Sequence, residues 1–230
     1  MRGVMATAAG LVNRKTVLYG TAMNAIAPSR REARRQARRD AILDVAAQSF
    51  LEHGYAGTTM SGIAATLGGS KGTLWSYFAS KEVLFAAVIE RVTDAFRMQL
   101  SLILNPRDGL EPALRRFCVE FLRKVTSPEA IALYRLVVGE TSRFPEIGRI
   151  FYERAPRQTQ QLLAGFLGQA MENGLLRRDD PLAAARHLTG LCMYGMHQQL
   201  VMGVADTSAA DTIDSEVDHA MTAFMRAYAA

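Results

Sequence analysis

Cysteine is scarce in this 230-residue chain: Cys118 and Cys192 lie far apart, each inside an apolar stretch, with no CxxC spacing. That excludes a disulfide framework and reads as two core thiols in a reducing, cytoplasmic setting. The four histidines, His53, His187, His197 and His219, form no HxH or HExxH pattern, so no metal or other cofactor is expected. No apolar run reaches the 18 or so residues that a membrane span needs. A Ser-His-Asp set, a glycine-rich phosphate loop following a strand and a paired-carboxylate spacing are all missing, which argues against an enzyme. Strand-type alternation persists nowhere, and no internal repeat is present.

Apolar residues make up 49% of the chain and the mean hydropathy is +0.02, enough for a sizeable core. The charge is unevenly placed. Residues 1–100 carry 13 lysines and arginines against 7 acids, and the rest carry 14 against 15. The net +5 therefore belongs to the first part, as expected of a segment facing a polyanion. Residues 1–29 have no acid and are interrupted by Gly10, Gly20 and Pro28. They read as a disordered extension, or as an over-long start with Met23 as the first residue, rather than as a transit peptide.

From Arg30 onward the pattern is helical. Arg30, Arg31, Arg34, Arg35, Arg38 and Arg39 recur in pairs every four residues, one basic stripe on a helix. Ile42, Val45, Ala46, Ser49 and Phe50 continue as a buried face, and Gly54 is expected to end the helix. Thr59 caps a short helix, Gly68-Gly69 ends it, Ser70 caps a second short helix over 71–78, and Ser80 caps a long one over 81–104. Two short helices joined by a tight glycine turn make a helix-turn-helix. Further helices are expected over 109–126, 128–142, 145–174 with a break or kink at Pro156, 181–203 and 209–229.

The stretch "GGSKGTLWSYFASKE" packs the one tryptophan, a tyrosine and a phenylalanine between two lysines. On a helix beginning at Lys71, Leu74 and Phe78 would face the core, leaving Lys71, Gly72, Thr73, Trp75, Ser76 and Tyr77 outward. That set suits DNA: a cation for guanine or phosphate, a glycine for close approach, hydroxyls for phosphate oxygens and flat rings for sugar or thymine methyl. Helix N-termini at Thr59, Ser70 and Ser80 offer unpaired N–H groups to phosphates. Lys81, Arg38 and Arg39 complete the expected contact set.

"TTMSGIAATLGGSKGTLWSYFASKEVL" resembles the DNA-binding signature of TetR/AcrR-type transcriptional regulators, over residues 37–85. Thr59, Ile63, Ala64, Gly68, Ser70, Gly72, Thr73, Leu74, Tyr77, Phe78, Ser80, Lys81, Glu82 and Leu84 fit its spacing. Gly62 stands where an acid is frequent, Gly69 where valine is usual and Trp75 where tyrosine is usual. The last should alter operator preference. "ALYRLVVGETSRFPEIGRIFYERAP" is similar to the C-terminal domain of AefR-like members.

The resemblance implies an all-α chain that binds double-stranded operator DNA as a homodimer, with its last two long helices at the interface. It also implies a small-molecule pocket between the middle helices. Leu188, Leu191, Cys192, Gly195 and Met196, and then Ile213, Val217, Ala220, Met221, Phe224, Met225 and Tyr228, form apolar stripes that suit such an interface or close the subunit's own core. Phe117, Phe121, Tyr134, Phe166, Met193, Met196 and His197 are the expected pocket residues, each of which can equally be ordinary core. Glu140 and Arg143 read equally well as surface residues.

The expected organisation is an extension over 1–29, a three-helix helix-turn-helix domain over 30–85, and a helical ligand-binding and dimerisation domain over 86–230. The expected activity is that of a ligand-responsive, sequence-specific regulator, a repressor released by a small apolar or amphipathic molecule. An architectural DNA binder relying on the arginine stripe is the alternative, and an all-helical enzyme is the rival class.

Overall fold

The computed structural model describes residues 29–68, 71–205 and 212–230. The expectations for residues 1–28, for Gly69, for the Ser70 cap and for the Lys71 side chain lie outside the described residues. Among those described there is no strand, only an isolated bridge between Leu176 and Ala229. No described helix is long and apolar enough to cross a membrane.

Helix α1 (Arg30–Gly57) starts at a capping box. Ser29 Oγ accepts from the Glu32 N–H at 3.2 Å, and Glu32 accepts from the Ser29 N–H at 2.8 Å. The helix does not end at Gly54, as expected. It breaks there, at φ 71° and ψ 174°, and makes one more turn to Gly57.

Thr59 caps α2 (Met60–Thr66), accepting from the Gly62 N–H at 3.0 Å; α2 gives way to a turn at Leu67 and Gly68, and α3 (Lys71–Tyr77) comes next in the chain. Ser80 Oγ accepts from the Val83 N–H and starts α4 (Lys81–Ile103). Beyond a 3-10 turn at Pro106–Asp108 come α5 (Leu110–Val125), α6 (Pro128–Glu140), α7 (Pro145–Arg154) and α8 (Pro156–Glu172). The chain ends in α9 (Pro181–Met193), α10 (Met196–Met202) and α11 (Ile213–Tyr228).

Pro156 breaks the 145–174 span as expected, because proline has no N–H to continue the ladder. The 181–203 span was expected to run through, yet it breaks at Gly195, where φ is −88° and ψ −100°.

Two cores result. In the first, α1 to α3 and the first turns of α4 pack around Phe50, Tyr55 and Phe85, with Val137 of α6 and Ile147 of α7 buried among them. The boundary expected after residue 85 thus falls inside α4, where Ala87, Val88 and Ile89 still belong to this core. In the second, α5, α8, α9 and α11 surround Phe117, Leu167, Cys192 and Phe224. Both cysteines are free and fully buried there. The neighbouring Cys192 thiol, and then burial, push the Cys118 thiol well above its ordinary value.

Most of the stripe expected at the dimer interface is spent inside the subunit. Leu188, Cys192, Met196, Ile213, Val217, Ala220, Phe224 and Tyr228 are all buried in the second core. Leu191 remains exposed, and Met221 and Met225 are partly buried. Apolar periodicity marks the face that is covered, but not whether the cover is intramolecular.

Candidate nucleic-acid interface and cavity

Helix α3 buries the face expected of it and leaves part of the other face open. Leu74 and Phe78 are each 2% exposed, whereas Trp75 is 49% exposed. Gly72 and Ser76 are exposed, and Thr73 is half-buried. The Ser76 hydroxyl donates to the Thr73 carbonyl at 2.7 Å, which orients it on the helix. Tyr77 is half-buried against the first core, so its ring is held rather than free. The Arg39 guanidinium lies 5.4 Å from the Phe78 ring centre, tying the arginine stripe to the base of α3. Arg30, Arg31, Arg34 and Arg35 stand in solvent, while Arg38 and Arg39 are half-buried.

Lys81 is placed otherwise than expected. Its ammonium donates to the carbonyls of Tyr55 at 2.8 Å and Thr58 at 3.1 Å, and it lies 4.2 Å from the Tyr55 ring centre. It is thereby tied to the segment leading into α2. The broken end of α1 leaves carbonyls there that the helix cannot satisfy, which is why a cation is drawn in.

A cavity of about 470 Å³ opens between the two cores. Phe121, Tyr134, Met193 and His197 line it, as expected. Phe117, Phe166 and Met196 do not. They are packed in the second core, and Phe117 stacks behind Phe121 with ring centres 5.8 Å apart. The remaining wall was not foreseen: Phe50 and Leu51 come from α1, Phe85, Val88 and Phe96 from α4, and Phe151 from α7. These residues carry ordinary core signals, and nothing in their spacing says that space is left beside them.

The charged part of the lining is limited to Lys124 and Glu129. His197 is 5% exposed, stands edge-on to Tyr134 at 5.3 Å and has no hydrogen-bond partner among the described residues. Burial lowers its pKa below the ordinary value, so the ring is neutral near pH 7 and offers one donor and one acceptor nitrogen.

The model for bacterial regulatory proteins of the tetR family matches residues 42–88, and that for the AefR-like transcriptional repressor C-terminal domain matches residues 112–230. The chain belongs to the TetR family. The HTH-type transcriptional repressor ComR of Escherichia coli strain K12 is 30% identical over 140 residues, 59% of this chain and 66% of ComR, just under two thirds of that relative. Among solved structures, the flavonoid-responsive regulator FrrA is 34% identical with a TM-score of 0.74, covering 84% of this chain and 98% of FrrA. A TetR family transcriptional regulator from Pseudomonas syringae pv. tomato DC3000 is 25% identical with a TM-score of 0.68, covering 84% of this chain and 97% of that one. The helix-turn-helix of this TetR-family chain therefore occupies the matched N-terminal segment, and most of the cavity wall lies in the matched C-terminal one.

Proposed function

We propose that this TetR-family protein is a homodimeric repressor whose α3 helices read successive major grooves of an operator, and that a molecule entering the cavity releases it. The contact set is Thr59, Ser70, Lys71, Gly72, Thr73, Trp75, Ser76 and Tyr77, with Arg38 and Arg39 on the backbone side. It is a binding protein, not an enzyme, and it works where the chromosome is, in the cytoplasm.

The observation that carries the reading is the shared wall. Phe50 and Leu51 belong to the helix that supports α3, while Tyr134 and His197 belong to the C-terminal part, and all four border one cavity. A ligand in contact with both can favour one relative placement of the two parts over another. It shifts the equilibrium only by its differential affinity for the two, about 1.4 kcal/mol for each tenfold loss of operator affinity.

The lining selects the effector's chemistry. A volume of about 470 Å³ walled by aromatic rings suits an uncharged, ring-bearing molecule, with one hydroxyl or N–H directed to the neutral His197. FrrA is by its name flavonoid-responsive, and a flat hydroxylated aromatic of that kind meets the same requirements.

The test is a mobility-shift titration on an operator selected from random DNA by the purified protein. A flavonoid aglycone or the uncharged fluorophore N-phenyl-1-naphthylamine should displace the protein. Binding of either compound in the cavity without any loss of operator affinity would overturn the release mechanism.

A further inference from the structure

Glu140, the last residue of α6, reaches from the C-terminal part of the chain to the break in α1. Its carboxylate accepts from the Tyr55 N–H at 2.7 Å and the Ala56 N–H at 2.8 Å. These two N–H groups are free because the φ of 71° at Gly54 takes the chain off its helical path. In effect, one residue caps a helix turn 84 positions away in sequence, with an anion at a helix start.

Gly54 is required twice over. A side chain there would be strained at its φ, and a Cβ would lie 2.5 Å from Glu140 Oε1. Lys81 holds the same turn from the other side through the carbonyls of Tyr55 and Thr58. The Thr58 hydroxyl closes the turn onto the Ser49 and Gly54 carbonyls, at 2.9 and 2.8 Å. The next residue, Thr59, caps the first helix of the helix-turn-helix. The orientation of α2 and α3 is thus set by a turn that Glu140 clamps.

The clamp lies in line with the cavity. On α6, Leu133 and Tyr134 line the cavity, and Glu140 lies two turns further along, about 10 Å. On α1, Phe50 and Leu51 line it, immediately before the break. A molecule in the cavity that favours a wider spacing of α1 and α6 works against the two short hydrogen bonds at their far ends, the contact that such a movement opens.

We propose that Glu140 is the positioning residue through which occupancy of the cavity is transmitted to the helix-turn-helix. Clamped, it holds the DNA-binding placement; opened, it frees the Tyr55–Thr58 turn. This rests on the cavity being the effector site.

The experiment uses the full chain, its selected operator and N-phenyl-1-naphthylamine as the cavity probe. In the wild type, the probe should raise the operator Kd by about tenfold, within the range usual for coupled sites, and speed amide exchange at Tyr55 and Ala56. Glu140→Gln, which leaves one N–H facing an amide NH2, should raise the probe-free Kd by about as much and bind the probe more tightly. Its remaining response to the probe should fall below about threefold. Glu140→Asp, a methylene short of both N–H groups, should change in the same direction.

A merely structural Glu140 would lower the melting temperature without altering the ratio of operator Kd with and without the probe. Variants of native helix content that keep the wild-type ratio would overturn the clamp and leave the effector site standing. A wild type whose operator affinity ignores the bound probe would overturn both.

Discussion

The Arg39 guanidinium lies over the face of Phe78, 5.4 Å from the ring centre, and so joins the basic stripe of α1 to the residue that ends α3. Arg34, five residues earlier, has no such contact and stands in solvent. Arg39→Ala should therefore cost about 0.5–1 kcal/mol of stability, a fall of roughly 1–4 °C in Tm. Arg34→Ala should leave Tm unchanged. If Arg34 meets a phosphate, its loss lowers the slope of log K against log salt by about 0.9 without changing which operator is preferred. Thermal melts and binding isotherms at three salt concentrations check both outcomes.

Met193 lines the cavity, whereas Met196, three residues on, is packed in the second core and 5% exposed. Met193→Ala should change the affinity for N-phenyl-1-naphthylamine at near-native stability. Met196→Ala should cost about 2–5 kcal/mol and leave probe affinity in the folded protein alone. Probe titrations beside denaturant melts separate the two. Equal effects of both substitutions on probe binding would move the cavity wall.

Phe224 is fully buried, so a charge there unfolds the subunit rather than splitting a dimer. The face left open by the last long helices includes Leu191, 37% exposed, and Tyr194, 81% exposed. The double variant Leu191→Asp, Tyr194→Asp should give folded monomers that lose operator binding. Light scattering with circular dichroism decides this; a double variant that remains dimeric places the interface elsewhere.

Burial holds the His197 pKa below its ordinary 6.5, and the unfolded chain regains the ordinary value. The unfolded state then binds more protons, so the stability due to neutral His197 is complete above about pH 6.5 and is lost as pH falls through the folded pKa. His197→Gln should flatten the loss of stability between pH 7 and the acid range. Urea melts at stepped pH, wild type against variant, give the slope; an unchanged slope assigns the acid sensitivity to other groups.

Much of the N-terminal part was legible because its signals are local. Thr59 and Ser80 cap the helices they precede, and Leu74 and Phe78 share a face by spacing alone. What escaped depends on contacts distant in sequence. Lys81 reads as an exposed cation at a helix start until the Tyr55 and Thr58 carbonyls, 26 and 23 residues away, are seen to hold it. Glu140 reads equally well as a surface residue until its partners in α1 are known. The stripe from Ile213 to Tyr228 shows a covered face and nothing about its cover, so the sequence suits an interface as well as the subunit core that most of it fills. The Gly195 break leaves no clear mark in the sequence, because a lone glycine within an apolar helical run is tolerated at a cost of about 1 kcal/mol.

Selection from random double-stranded DNA with the purified protein tests the central claim most directly. The account predicts enrichment of a two-fold symmetric site with half-sites about one helical turn or more apart, its base preferences altered by Trp75→Ala. Recovery of unenriched DNA, bound with a steep salt dependence and competed equally by any sequence, would contradict it and leave an architectural binder held by the arginine stripe.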